Sequence, residues 1–156
     1  MQRILLFFII SAVTFSSSMR LGFSQTQSED SIKKIEKQVL NLVNKYRSMK
    51  DLPALTYNDN IYIEAKKHSQ NMAEGKTPFS HDGFDGRWDR LLKSVKGSSM
   101  AENVAMGQET AQEALDSWLS SKGHRENIEG KFNLTAIGIA QGADGDLYFT
   151  QIFLLK

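Results

Sequence analysis

Apolar residues recur with helical spacing over most of the chain, and near its end the spacing becomes that of strands. Apolar positions three or four residues apart predict amphipathic helices over about 31–48, 59–73, 87–95 and 110–121. Two short runs, 137–140 and 147–153, have the composition of strands, and Asp144-Gly145 between them is typical of a hairpin turn. This order predicts an α+β fold in which helices pack on a small antiparallel sheet.

The segments between these elements are shorter and less regular. Glycines among polar residues predict a loop over 79–86. Residues 55–58 are expected to form a short extended connection that leads to a helix cap at Asn58 or Asp59. Residues 101–106 are compatible with either a short strand or an irregular segment.

The length and composition of the chain exclude several classes of protein. A chain of 156 residues is long enough for one domain with a proper core and too short for two ordinary domains. The formal net charge is +1, so no basic excess points to nucleic acid or to an anionic membrane. The absence of cysteine excludes disulfides, thiolate catalysis and cysteine-based zinc sites.

The N-terminal residues have the pattern of a secretory signal peptide. Arg3 precedes an apolar run over 4–13, and small residues at positions 22 and 24 predict cleavage after Ser24. A transmembrane anchor is the alternative, but the run is well short of the roughly 18 residues that a span needs. We therefore expect a signal peptide at 1–24, a polar leader at 25–30 and one domain at 31–156. The predicted location is secreted or in the periplasm or cell envelope, with no membrane span after cleavage.

Three side chains beside small or turn-forming residues carry the most informative chemistry, namely His81, Glu102 and His124. Neutral imidazoles bind zinc and related divalent ions, and a nearby carboxylate can be a third ligand, a partner that orients a histidine, or a general base. These positions match no short metal motif, so unrelated surface or structural histidines are the alternative. His68 lies on the apolar stripe of the second predicted helix, which favours a hydrogen-bonded structural role.

Several segments stand in an order that is specific only in combination. They are the helical stretch 68–73, Phe79-Ser80-His81 followed by Asp89-Arg90-Leu91, Ala101-Glu102-Asn103-Val104-Ala105, the helix of Trp118 running into Gly123-His124-Arg125-Glu126-Asn127-Ile128, and the strands 137–140 and 148–153. This combination resembles the CAP superfamily in its cysteine-free bacterial form. The superfamily is also called the SCP domain and includes cysteine-rich secretory, antigen 5 and pathogenesis-related-1 proteins.

The resemblance implies an α-β-α sandwich with a large cleft that can hold a divalent metal, for which zinc is the most suitable ion. It places His81, Glu102, His124 and Ser121 in this cleft, with the two histidines as metal ligands. In animal members an acidic residue stands three positions after the helix tryptophan, whereas this chain has Ser121 there. We expect Trp118 to lie in the core and the side chain of Asn127 to bond the backbone.

Three functions are compatible with these features. The first is an exported protein whose cleft holds a metal and an extracellular ligand, such as a lipid, a cell-wall glycan or a peptide. The second is a metal-assisted hydrolase with Glu102 as its base, and the third is a structural or interaction protein with a vestigial cleft. The missing second acid favours binding over catalysis.

Overall fold

The computed structural model describes residues 29–156, so the predicted signal peptide and residues 25–28 of the predicted leader lie outside the described residues. The described part contains five helices and four strands. In chain order they are α1 (Glu29–Ser48), β1 (Thr56–Tyr57), α2 (Asp59–Ala73), α3 (Phe84–Val95), β2 (Ser99–Met106), α4 (Ala111–Ser120), α5 (Lys122–Glu129), β3 (Leu134–Gln141) and β4 (Leu147–Leu155).

The four strands form one sheet in the order β1-β3-β4-β2. The hairpin predicted at Asp144-Gly145 joins β3 and β4, and β4 also pairs antiparallel with β2. β1 pairs parallel with β3, so the small sheet predicted as antiparallel is mixed. Parallel strands need a long crossover connection, and here it includes every element from α2 to α5, so no local sequence signal could reveal this pairing.

Helices cover both faces of the sheet. α1, α4 and α5 pack on one face, around core residues such as Val39, Trp118 and Phe149. α2 and α3 pack on the other face, around Ile61 and Leu91. The predicted α-β-α sandwich is therefore confirmed, and Trp118 lies in its core as expected, with no exposed surface.

A close approach fixes α2 against the sheet. A β-carbon built on Gly138 of β3 would lie 2.2 Å from the backbone nitrogen of Lys66 and 2.6 Å from the backbone carbon of Ala65, both in α2. Backbone atoms at these distances cannot move aside as a flexible side chain can. Only glycine therefore allows the helix to lie this close to β3.

Three features of the helices differ from the prediction. α1 begins at Glu29, within the predicted leader, rather than at residue 31. α3 begins at Phe84 rather than at residue 87, after Gly83, which adopts a left-handed conformation with φ of 78°. Residues 122–129 form the helix α5, whereas the serine and glycine residues around 120–123 predicted only a break after α4. A helix of eight residues has little stability of its own, so this one depends on contacts that are distant in sequence.

One such contact comes from Arg47 at the end of α1. Its guanidinium is buried and donates hydrogen bonds to the carbonyl oxygens of Ile128 at 2.6 Å and Gly130 at 2.9 Å, at the C-terminal end of α5, and to that of Pro53 at 2.8 Å. Carbonyl groups at a helix C-terminus lack partners within the helix. Arg47 therefore holds α5, the helix that carries His124.

Candidate functional site

Glu102 lies at the centre of the candidate site, on the edge strand β2. Its side chain is 1% exposed. Arg87 of α3 forms two hydrogen bonds with it, from Nε to Oε2 and from Nη2 to Oε1, both at 2.7 Å. Nδ1 of His81 lies 2.9 Å from Oε1. Both carboxylate oxygens are therefore engaged by neighbouring side chains.

The pKa of Glu102 reflects this environment. Burial by itself raises the pKa of a carboxyl group, because it disfavours the charged form. At Glu102 the hydrogen bonds from His81 and Arg87, together with the charge of Arg87, outweigh burial and hold the pKa below its usual value. The carboxyl group is therefore ionised at neutral pH, and Arg87 balances its charge.

The loop that carries His81 is held from both sides. Arg87 also donates from Nη1 to the carbonyl oxygen of Asp82 at 2.8 Å. On the other side, Nε2 of His68 lies 2.9 Å from the carbonyl oxygen of Ser80 and 3.8 Å from Oε1 of Glu102. His68 is buried, and burial lowers its pKa, with the charge of Arg87 acting in the same direction. A neutral His68 that donates from Nε2 fits both contacts, which agrees with its predicted structural role.

His124 reaches the site from α5, whose position is fixed by two asparagines. Asn103 of β2 donates from Nδ2 to the carbonyl oxygen of His124 at 3.0 Å. Asn127 donates to the carbonyl oxygen of Glu102 at 3.2 Å and to Oδ1 of Asn103 at 2.9 Å. The expectation that Asn127 bonds the backbone is thus confirmed. These bonds tie α5 to the strand that carries Glu102.

The imidazole rings of His81 and His124 lie near one another, with centroids 6.3 Å apart and planes inclined at 57°. Since Nδ1 of His81 is directed at Glu102, its Nε2 is left without a hydrogen-bond partner among residues 29–156, and so are both ring nitrogens of His124. Burial, followed by the charge of His81, lowers the pKa of His124. Neutral His124 can therefore offer a lone pair at neutral pH.

The donor set fits a two-histidine metal site better than a three-ligand site. Two imidazoles on one tetrahedral zinc ion, with Zn–N distances of about 2.0–2.1 Å, have ring centroids about 5 Å apart. The observed separation is about 1 Å larger, which a small shift of the half-exposed His81 ring can close. Glu102 is occupied by Arg87 and His81, and within residues 29–156 no group of three His, Cys, Asp or Glu side chains is arranged to hold a metal ion.

The structure thus brings His81, Glu102 and His124 together, although they are far apart in sequence. Ser121 lies at the junction of α4 and α5, one turn before His124, and its side chain makes no capping hydrogen bond. The sequence interpretation missed Arg87, which appeared only as the first residue of a predicted helix. The available signal was the position of Arg87 directly after the loop 79–86, which carries His81 and contains two glycines. The burial of Arg87 depends on tertiary contacts, so the sequence could not reveal it.

These features define a class of protein: an α-β-α sandwich in which two histidines and a buried glutamate meet beside the edge strand. A family model described as the cysteine-rich secretory protein family, CAP, matches residues 40–153. The chain therefore belongs to the CAP family. Among residues 29–156, no helix is long and apolar enough to cross a membrane.

Similar proteins come from several bacteria. The Bacillus subtilis (strain 168) protein YkwD is 32% identical over 135 residues, which cover 84% of this chain and 51% of YkwD. The crystal structure of an extracellular protein with an SCP domain from Bacillus anthracis has a TM-score of 0.70 at 30% identity, over 85% of this chain and 45% of that one. The chain thus spans about half the length of these relatives.

A third similarity concerns the fold alone. An outer surface protein from Borrelia burgdorferi has a TM-score of 0.71 at 20% identity, and the match covers 80% of this chain and 94% of the chain in that structure.

Proposed function

We propose that this protein is an exported CAP-domain binding protein in which His81 and His124 hold a divalent metal ion, zinc most readily. The observation that carries the proposal is the orientation of His81. Its Nδ1 is directed at a buried carboxylate, which leaves Nε2 without a partner in the described part of the chain, at a ring whose centroid is 6.3 Å from that of His124. Histidine ligands in metalloproteins commonly have their second ring nitrogen bonded to a carboxylate in this way.

The proposed ligand is an extracellular molecule such as a lipid, a glycan or a peptide. A divalent ion held by two histidines would leave coordination positions for oxygen atoms of that ligand and act on them as a Lewis acid. The chain's own contribution is to fix His81 through Glu102 and Arg87, and to fix His124 through Asn103 and Asn127. Binding is therefore supported by side chains that lie in a preformed arrangement.

The geometry favours this function over a hydrolase with Glu102 as its base. A general base near neutral pH needs a carboxyl group whose pKa is raised and whose oxygen reaches a water molecule. The pKa of Glu102 is lowered, and its oxygens accept bonds from Arg87 and His81. Glu102 is instead placed to orient His81.

Export of the protein is supported by the pattern of residues 1–24 and by a relative. The Bacillus anthracis structure, at 30% identity, is described as that of an extracellular protein. The chain has no cysteine and its sandwich is stabilised by its hydrophobic core, so the protein needs no disulfide and can be stable inside or outside the cytoplasm. A pulse-chase experiment with the full chain in a bacterial host should show loss of about 24 residues and release from the cytoplasm.

Zinc titration tests the metal proposal. Isothermal calorimetry of residues 25–156 should show that one zinc ion binds per chain. His81→Ala and His124→Ala should each weaken zinc binding by at least about tenfold, because only one histidine ligand remains. Lys122→Ala is the matched control, since its exposed side chain lies two residues from His124 and forms an ion pair with the exposed Glu126.

Two results would contradict the metal site. One is unchanged zinc affinity in both histidine variants, which would place the zinc elsewhere on the chain. The other is no binding by the folded wild-type protein at micromolar zinc. Circular dichroism of each variant separates loss of a ligand from loss of the fold.

A further inference from the structure

A second candidate site lies at the opposite edge of the sheet from Glu102. A groove of about 330 Å³ is bounded there by α1, β1, α2 and β3. Carbon-rich side chains line much of it, among them Leu40, Tyr57 and Tyr62. Pockets for small molecules begin at about this volume, so the groove suits a compact ligand rather than a folded partner.

Two tyrosines bring aromatic rings to this groove. The ring centroids of Tyr57 and Tyr62 lie 6.1 Å apart, and the ring planes are inclined at 43°. Tyr57 is 45% exposed, so its ring is accessible to a ligand. Aromatic rings attract a cation that lies within about 6 Å of the ring centroid, and pairs of such rings commonly bind quaternary ammonium groups. A cation in the groove can therefore lie within this range of both tyrosines.

The hydroxyl groups of both tyrosines are bonded to carboxylates. Tyr62 donates to Glu36, and Tyr57 donates to Asp59. Burial, followed by the charge of Glu36, raises the pKa of Tyr62 to about 12, so its side chain is a neutral phenol at physiological pH. An anionic ligand cannot use these hydroxyl groups as donors, because their protons are already engaged. The tyrosine side of the groove therefore favours a cation over an anion.

The kind of cation follows from the hydrogen bonds that Glu36 already accepts. Its residue is 8% exposed, and its Oε1 accepts from the nitrogen of Ile139 at 2.9 Å and lies 3.8 Å from Nζ of Lys66. A primary ammonium group brings three N–H donors that each need an acceptor. A trimethylammonium group brings no donor and gains from contact with aromatic rings. The groove thus favours a quaternary ammonium group over a primary one.

Two lysines on the α1 side of the groove define the other end of the ligand. Lys33 and Lys37 lie one turn apart on α1, and both are exposed and line the groove. Neither takes part in an ion pair within residues 29–156. Like charges four residues apart on a helix repel each other, and an anion between them relieves this repulsion. A ligand that carries a phosphate beside its cationic group therefore matches both sides of the groove.

We propose that this groove binds phosphocholine, either as a free molecule or as the headgroup of a phospholipid. The trimethylammonium group lies against the rings of Tyr57 and Tyr62, and one of its methyl groups contacts Leu40. The phosphate pairs with Lys33 and Lys37. This site shares no residue with the histidine site and does not rest on the metal proposal.

NMR titration of nitrogen-15-labelled residues 25–156 with phosphocholine, in EDTA and without metal, tests the proposal. The amide signals of Tyr57, Tyr62 and Lys37 should shift, whereas the signal of Glu102 should stay in place. Choline and inorganic phosphate each carry one of the two charges and should each bind at least about fivefold more weakly. O-phosphoethanolamine, which has a primary ammonium group, should also bind about fivefold more weakly.

Three results of this titration would overturn the proposal. The first is that the signals of the two tyrosines do not move at about 10 mM phosphocholine. The second is that inorganic phosphate binds as tightly as phosphocholine, because the rings would then contribute nothing. The third is that O-phosphoethanolamine binds as tightly, because the groove would then not prefer a quaternary ammonium group.

Variants assign each part of the ligand to its side of the groove. Tyr57→Leu should weaken phosphocholine binding about fivefold, whereas Tyr57→Phe keeps the ring and should bind almost as the wild type does. The double variant Lys33→Ala, Lys37→Ala should weaken phosphocholine binding about fivefold and leave choline binding unchanged, because only the phosphate loses its partners. Lys34→Ala is the matched control, since Lys34 is an exposed neighbour on α1 that does not line the groove. Equal losses in the two Tyr57 variants, or a larger effect of Lys34→Ala than of the double variant, would contradict the assignment.

Vesicles of phosphatidylcholine distinguish the two sources of the ligand. Sedimentation of the protein with the vesicles, reversed by free phosphocholine, indicates a lipid headgroup. Binding of free phosphocholine without sedimentation indicates the free molecule. Sedimentation that is undiminished in the double lysine variant would contradict binding of the headgroup in this groove.

Discussion

Replacing Arg87 with methionine tests how the candidate site is held together. In Arg87→Met, Glu102, whose side chain is 1% exposed in the wild type, keeps the hydrogen bond from His81 but loses both bonds from the guanidinium. Removing one partner of a buried ion pair costs about 3–5 kcal/mol, because the other charge remains buried without compensation. With the urea dependence typical of a domain of this size, the unfolding midpoint should fall by about 2 M.

The pH dependence of this loss follows from the pKa of Glu102. In the wild type the pKa is held below its usual value, so the paired carboxylate adds stability above the unfolded pKa of about 4.5, and this stability is lost as the pH falls through the folded pKa. Without Arg87 the effect of burial dominates, and the pKa of Glu102 should rise. Protonation then relieves the buried charge, so the difference between variant and wild type should narrow from about pH 7 to about pH 5.

Urea unfolding of residues 25–156, followed by the fluorescence of Trp88 and Trp118, measures these differences at both pH values. The double variant Arg87→Met, Glu102→Gln serves as the control, because it removes both charges. It should cost about 2–3 kcal/mol less than the sum of the two single variants. A loss below about 1 kcal/mol in Arg87→Met at pH 7, or a loss that is the same at both pH values, would refute the reasoning.

Two further predictions concern packing and histidine titration. Gly138→Ala should destabilise the fold by about 3 kcal/mol or more in urea unfolding, because the added β-carbon would collide with the backbone of α2. Gly123→Ala in α5 is the control, and it should be neutral or stabilise the fold by up to about 1 kcal/mol, since no atom lies within 4 Å of its added β-carbon. Equal effects of the two substitutions would contradict the close approach of α2 to β3. Burial lowers the pKa of His68 and His124 in the folded protein below the usual value of 6.5. As the pH falls below about 6.5, these histidines bind protons more readily in the unfolded chain than in the folded one, so the free energy of unfolding should decrease. His124→Ala should reduce that decline in urea titrations, and a decline as steep as that of the wild type would contradict the pKa assignment.

The helical part of the fold could be predicted because its signals are local. Apolar spacing identified α1, α2 and α4, and Asn58 caps α2 with its side chain, as one of the two predicted cap residues. Thr110, predicted as the first residue of a helix, is the N-cap of α4. The hairpin of β3 and β4 was predicted for the same reason, since Asp144-Gly145 determines the turn. Each of these features depends on residues within a few positions of one another.

The missed features depend on distant partners. α5 was read as a break because Gly123 and the serines before it discourage a helix, yet Arg47 and Asn103, 81 and 21 residues away from their partners, hold it in place. β1 lies within the extended connection predicted at 55–58, but its parallel pairing with β3 was not predicted. No local pattern records either interaction.

The sequence by itself determined the class of fold, the order of its elements and the three residues worth testing, His81, Glu102 and His124. Their chemistry is intrinsic to the side chains, and their neighbours mark the loops and turns that carry them. Only the tertiary structure decided the surroundings of Glu102. The fold brings Arg87 of α3 against the carboxylate and buries both, and this arrangement supports the proposal that Glu102 orients His81 rather than acting as a base.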